Sequence, residues 1–206
     1  LQEDAVIVRN ERMNFEDACQ LIGDDIEQIG GYGKFDPDIA VDILTFKGNP
    51  YPTYVFATHL VEIEMDTELG SVDLMKAWCA HDAGTIVNPT GAEGQVEGGV
   101  AMGVGQALWE RVVREGGYIM NPHYRDYLLP GAKDVTQEIE SIFVENHDRT
   151  GPYGAKGLAE VSLIPIPAAM ANAVTDAVDV RPNHLPMDSE FVLDLLNDTS
   201  TNVAGE

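Results

Sequence analysis

This chain of 206 residues predicts an α+β fold, with a mixed or antiparallel sheet flanked by helices. Three observations carry that reading. Thr53 to Asp66 alternates near its end, Val61, Ile63 and Met65 pointing one way and Glu62, Glu64 and Asp66 the other, which is the period of a half-exposed strand. Two segments, Gly91 to Arg114 and Ala168 to Val178, are rich in small apolar residues and free of internal proline, as helices require. Ile139 to Val144 adds a further strand.

The elements follow in order. Residues 5–9 read as a short strand, and Asn14 caps a helix that opens with Glu16 and Asp17 and runs to about Ile22. Residues 24–52 carry Gly30, Gly31, Gly33, Pro37, Gly48, Pro50 and Pro52 and read mostly as loop. Thr67 to Gly70 is a turn, and Val72, Leu74 and Ala77 begin the return strand of a hairpin. His81 to Pro89 is a loop. The helix after it contains Gly94, Gly98, Gly99, Gly103 and Gly105. Each costs roughly 1 kcal/mol relative to Ala in a helix interior, so close packing on a backbone or a ligand must offset them. Residues 118–129 are Tyr-rich and strand-like or irregular. Pro165-Ile166-Pro167 opens the second small-residue helix. Leu185-Pro186-Met187 leads into a closing helix, Ser189 to Leu196, and residues 197–206 form a polar, frayed tail. Helices of such small residues bury little area, so the chain is expected to be poorly stable without a partner.

Composition bounds the function. Hydrophobic residues make up 44%, which fits a globular chain. With 35 acids against 12 Lys and Arg, of which five are Lys, the formal charge is -23. Nucleic acid and anionic membrane surfaces are therefore disfavoured, and a salt-rich habitat fits. No run of 18 apolar residues occurs, so no membrane span is expected, and the acidic start Leu1-Gln2-Glu3-Asp4 lacks a signal region, which points to the cytoplasm. The start also lacks Met, as in a chain processed or cut from something longer. Cys19 and Cys79 lie far apart and read as buried small hydrophobes.

The chemistry concentrates in Gly151-Pro152-Tyr153-Gly154-Ala155-Lys156-Gly157-Leu158-Ala159-Glu160. Small residues let a backbone approach a bulky ligand. Glu160, backed by Val161, Leu163, Ile164 and Ile166, is expected to sit against an apolar wall that raises its carboxyl towards a usable base. A plain glycine turn with a solvated Glu is the competing reading. Gln95 suits a heterocycle edge or is a surface amide; Lys156 meets a phosphate or shields the loop. The five histidines show no metal-ligand spacing, and no Walker loop, nucleophile elbow or full Rossmann fingerprint occurs.

Gly94-Gln95-Val96-Glu97-Gly98-Gly99 through Gly103-Val104-Gly105, followed by Gly154-Ala155-Lys156-Gly157-Leu158-Ala159-Glu160, resembles the molybdenum hydroxylase family of xanthine dehydrogenases and aldehyde oxidoreductases. The His81-to-Pro89 loop, the Ala168-to-Val174 helix and the Leu185-Pro186 ending agree with it. The resemblance covers about residues 5–196. It implies residues 1–196 as the C-terminal portion of a molybdopterin-binding subunit, like the smaller molybdopterin subunit of split enzymes such as nicotinate dehydrogenase, with 197–206 as the tail. It also implies that Gln95 hydrogen-bonds the molybdopterin. Backbone at Gly98, Gly99, Ala101, Met102 and Gly103 would pack on the pterin or its phosphates, and Lys156, Gly157 and Leu158 would line the metal site by main chain. Glu160 would be the catalytic base, with no metal ligand from the protein, because the pterin holds the molybdenum.

The implied reaction is oxidation of an electron-poor carbon of a purine- or nicotinate-like heterocycle with water-derived oxygen. The alternatives are an aldehyde oxidoreductase subunit, a non-catalytic cofactor-holding or assembly subunit, and an unrelated acidic binding protein. The implied cofactor is molybdopterin, with or without a cytosine dinucleotide. The implied partners are the other half of the molybdopterin subunit, an iron–sulfur subunit with [2Fe-2S] clusters and an FAD subunit. Three positions depart from the family pattern. Ala159 stands where Gly usually precedes the Glu, and Val161-Ser162 where proline is common, which puts the placement of Glu160 in question.

Overall fold

The computed structural model describes residues 5–8, 11–22 and 40–203. The predicted loop over 24–39, the first four residues and the last three lie outside the described residues. The chain divides into two compact units, residues 1–38 and 39–206. In the first, β1 (Ala5–Val8) pairs antiparallel with β2 (Glu11–Asn14), and α1 (Phe15–Ile22) follows. Asn14 caps α1 as its sequence predicts, its Oδ1 accepting from the Asp17 amide at 2.7 Å. The inward position of α1 is Ala18, not Cys19. Cys19 is exposed, which corrects its reading as a buried hydrophobe, while Cys79 is buried.

The second unit opens with a small hairpin, β3 (Ala40–Asp42) and β4 (Lys47–Asn49). Its main sheet contains β5 (Phe56–Asp66), β6 (Ser71–Asp82) and β9 (Ile139–Phe143), in the order β5-β6-β9. β5 and β6 are antiparallel and β9 runs parallel to β6, so the sheet is mixed. The β5 alternation is as read: the sides of Glu62, Glu64 and Asp66 are exposed, and Val61, Ile63 and Met65 pack on the core. Asp66 makes the turn, its carboxylate accepting from the Glu68 and Leu69 amides at 2.8 and 3.0 Å.

Helices α2 (Pro89–Leu108), α3 (Pro165–Val178) and α4 (Ser189–Val203) join the sheet around one core. β6 supplies Leu74, Ala77 and Cys79, α2 supplies Val96, Val100 and Val104, and α3 supplies Ile166, Met170 and Val174. Continuous helical residues 160–178 pass a length-and-composition test for a membrane span, with mean hydropathy 1.4. The inward side of this stretch is nevertheless part of the core, with Ile166, Met170 and Val174 fully buried.

Three boundaries differ from expectation. α2 starts at Pro89, because Asn88 caps it by accepting from the Gly91 amide at 3.1 Å. It ends at Leu108 rather than Arg114. Trp109 leaves helical geometry, and the Ala107 carbonyl is taken by the Met187 amide at 2.6 Å, a tertiary stop with no local sign. The segment after it turns back at Gly116-Gly117 between β7 (Arg114–Glu115) and β8 (Tyr118–Ile119). α4 runs on to Val203 through what reads as frayed tail, since no Gly or Pro interrupts it before Gly205.

One buried pair has no counterpart in the sequence reading. His59 Nε2 and His81 Nε2 lie 2.9 Å apart, and both Nδ1 atoms are buried without a partner. Burial and then the neighbouring His81 lower the His59 pKa to about 4, and burial lowers that of His81. The unfolded chain therefore binds more protons than the folded one between about pH 4 and pH 6.5, and stability rises with pH across that window. It is fully present above pH 6.5 and is lost as pH falls towards 4. Between pH 6.5 and 5 the thermal midpoint of the assembled protein is expected to drop, the His59 contribution being about 1–2 kcal/mol. His59→Gln should flatten that dependence; an equal pH slope in the variant would refute it.

Candidate functional site

The site begins with four of the glycines of α2, two on each of two sides of the helix. Gly99 and Gly103, one turn apart, face the segment leading into α3. A Cβ at Gly99 would overlap the Ser162 side chain, and one at Gly103 would lie 2.5 Å from Ile166 Cβ. These two glycines are required by close helix packing. Gly94 and Gly98, also one turn apart, have no atom of the described residues within 4 Å of a built Cβ. Packing among the described residues does not explain them. Gln95, Gly98 and Met102 are exposed beside them and Ala101 is half-buried, so this side of α2 is an open face with little side-chain relief.

Ser162 ties the second predicted segment to this helix. Its hydroxyl is fully buried and lies 3.1 Å from the Gln95 carbonyl and 2.9 Å from the Ala159 carbonyl. Glu160 opens the short 3-10 turn Glu160–Ser162, whose cap residue is Ala159. The structure thus brings the Glu160 turn against α2 at Gly99, next to the backbone of Gln95. Ser162 is the residue that joins them.

Glu160 itself is exposed. The apolar wall expected behind it is not closed around it: Ile166 is buried, but Ile164 is largely exposed and Val161 and Leu163 are half-buried. Only Ile166, in α3, joins the core, so the described residues do not bury the carboxylate. Leu158 is half-buried against the core, and Gly157 is exposed with nothing within 4 Å of a built Cβ.

Lys156 is held differently. Its Nζ lies 2.9 Å from Asp82 Oδ2 and donates to the Tyr54 carbonyl at 3.1 Å, with side-chain exposures of 5% for Lys156 and 15% for Asp82. The hydrogen bond from Lys156 holds the Asp82 carboxyl below its ordinary range. The ammonium is therefore turned away from solvent and already neutralised. Asp82 was missed in the sequence; a lone acid just before Ala83-Gly84 gave no spacing signal. The backbone seals the same junction, with Lys156 donating to the Ala83 carbonyl at 2.9 Å and Thr85 to the Gly154 carbonyl at 2.8 Å. Gly84, at φ +67, takes a conformation that a side chain would strain.

Two open clefts lie elsewhere. One of about 540 Å³ is lined by Gln106, Leu163, Ile164, Pro167 and Leu185 among others, and one of about 470 Å³ by His59, Glu62, Asn172 and Asp176 among others. Neither includes Gln95, Gly98 or Glu160. Among the described residues no three His, Cys, Asp or Glu side chains gather as a metal site.

Comparison with known proteins identifies the family. Residues 1–136 match the family described as a molybdopterin cofactor-binding domain. A putative xanthine dehydrogenase molybdenum-binding subunit of Escherichia coli is 40% identical over 134 residues, 64% of this chain and 18% of that protein. The nicotine 6-hydroxylase large subunit of Paenarthrobacter nicotinovorans is 35% identical over 62% of this chain and 16% of its own length. The aldehyde oxidoreductase of Desulfovibrio gigas superposes with a TM-score of 0.70 at 28% identity, over 77% of this chain and 17% of that one. The chain thus spans less than a fifth of the length of these relatives. Its glycine-bearing helix, mixed sheet and matched residues place it in the molybdopterin-binding family of the molybdenum hydroxylases.

Proposed function

We propose that this chain forms part of the molybdopterin-binding subunit of an enzyme that oxidises an electron-poor carbon of a nitrogen heterocycle, purine- or nicotinate-like, with oxygen taken from water. The observation that carries this reading is the junction of the Glu160 turn with α2 through Ser162, beside an open glycine face that packing leaves unexplained.

The residues suit a pterin. Gly94 and Gly98 leave an uncluttered helix face, where a Cβ would occupy space now open to a flat ligand. Gln95 is exposed on that face with an amide that both donates and accepts, as a pterin edge requires. The main chain at Gly98, Gly99, Ala101, Met102 and Gly103 would stand behind the ligand, and that at Lys156, Gly157 and Leu158 would border the metal. When bound, the molybdenum cofactor supplies the two-electron oxidation and the binding of the water-derived oxygen. Glu160 takes the proton that the attacking oxygen must lose, at its carboxylate oxygen, from an exposed position that a partner segment and the substrate would close off. The cofactor carries or lacks a cytosine dinucleotide. An iron–sulfur subunit with [2Fe-2S] clusters and an FAD subunit would take up the electrons, and the other half of the molybdopterin subunit would complete the site. A cytoplasmic location fits this assembly.

The nicotine 6-hydroxylase and xanthine dehydrogenase relatives favour heterocycles, and the superposition on an aldehyde oxidoreductase supports an aldehyde as the second reading. Turnover of heterocycles and aromatic aldehydes in ¹⁸O-labelled water separates these. The proposal expects labelled hydroxylated heterocycle. Label arriving from dioxygen would contradict it, and labelled acid from aldehydes alone would select the second reading.

A further inference from the structure

We propose that Asp82 and Lys156 are positioning residues, a buried ion pair that fixes the Glu160 loop against the segment that launches α2. The inference rests on the reading of Glu160 as the base. It begins with where the two residues sit. Asp82 is the last residue of β6, and the chain after it runs through Gly84 and Thr85 to the Asn88 cap of α2. Lys156 lies in the loop that delivers Glu160. One ion pair therefore spans the two segments that carry the proposed site.

The pair is built for geometry. At 2.9 Å, with exposures of 5% and 15%, it is largely shielded from water. Both partners are further constrained: Lys156 Nζ donates to the Tyr54 carbonyl, and the Asp82 carboxylate accepts from the Gly84 amide at 3.4 Å and from the Asn146 side chain. Backbone pairing of Gly84 with Ala155, and the amide of Lys156 on the Ala83 carbonyl, complete the junction. A buried ion pair roughly breaks even in stability against an apolar pair, but removing one partner leaves a charge without compensation. What such a pair adds here is a single register between the two segments. A lysine spent this way does not meet a phosphate, which answers the question its position in a glycine loop raises.

The test uses the intact assembly with Lys156→Met, Asp82→Asn and the double variant. Molybdenum per chain, kcat per loaded site, KM and amide exchange over residues 151–160 are measured for each. Each single variant is expected to lower kcat per loaded site by about 10–100-fold, because a small misplacement of a catalytic group has effects of that size. KM should stay within about threefold and molybdenum content should be retained, while amide exchange in the loop rises. The double variant should be no worse than the poorer single, since both break one contact. Unchanged kcat per loaded site, with activity falling only in proportion to molybdenum, would overturn the proposal, as would multiplicative effects in the double. If Lys156→Met does not assemble, Asp82→Asn, which keeps the shape but removes the charge and one acceptor oxygen, decides. Full activity of Glu160→Gln would instead sink the assignment of the base, whatever the pair does.

Discussion

Glu160→Gln in the assembled enzyme is expected to lower kcat by about 10²–10⁴-fold, the range that a positioned general base contributes, while molybdenum and pterin content stay at the wild-type level. The amide keeps the size and the exposed setting of the carboxylate, so the 3-10 turn and its Ser162 hydroxyl contacts have no reason to change. Because only the proton acceptor is removed, the loss belongs in kcat and not in cofactor retention. Steady-state kinetics normalised to molybdenum checks this. A variant with wild-type kcat would leave the cofactor-holding role without the catalytic one, the reading in which chemistry resides on another chain. Loss of molybdenum along with activity would make Glu160 a binding residue.

The glycines of α2 give the second large effect, through opposite outcomes at neighbouring positions. Gly103→Ala puts a methyl 2.5 Å from Ile166 Cβ in the α2–α3 contact, and overpacking of that kind costs about 1–3 kcal/mol. Gly98→Ala meets nothing among the described residues and removes the helix penalty of glycine, so it should leave stability unchanged or raise it by up to about 1 kcal/mol. Yet Gly98→Ala is expected to lose most of its molybdopterin, since the added methyl stands on the face proposed for the ligand. Denaturation midpoints and pterin content of the two variants check both halves. Gly98→Ala with full cofactor would mean that the open face of α2 is not where the pterin lies.

Much of this architecture is written in local pattern. The β5–β6 hairpin follows from the alternation of Val61 to Asp66 and the turn after it, and α3 from proline placement. The glycine segments mark both halves of the candidate site, because a residue type that costs helix stability signals a close approach. What was illegible depends on contacts between distant residues. The end of α2 is set by the Met187 amide reaching the Ala107 carbonyl, and Asp82 acquires its role only when folding brings Lys156 to it. The His59–His81 pair arises from a diagonal across two strands, which spacing in sequence does not show. The exposure of Glu160 was misread for a related reason. Of the apolar residues after it only Ile166 is committed to packing on the core, and Ile164 faces outward, so they do not wall the carboxylate in.

The measurement closest to the central claim is the molybdenum and pterin content of the natively purified assembly, by elemental mass spectrometry and by fluorescence of the released pterin. The account predicts about one molybdenum and one pterin for each copy of this chain. An intact, folded assembly from a host that loads its other molybdenum enzymes, yet containing neither, would contradict the assignment of the α2 face and the Glu160 loop as a molybdopterin site.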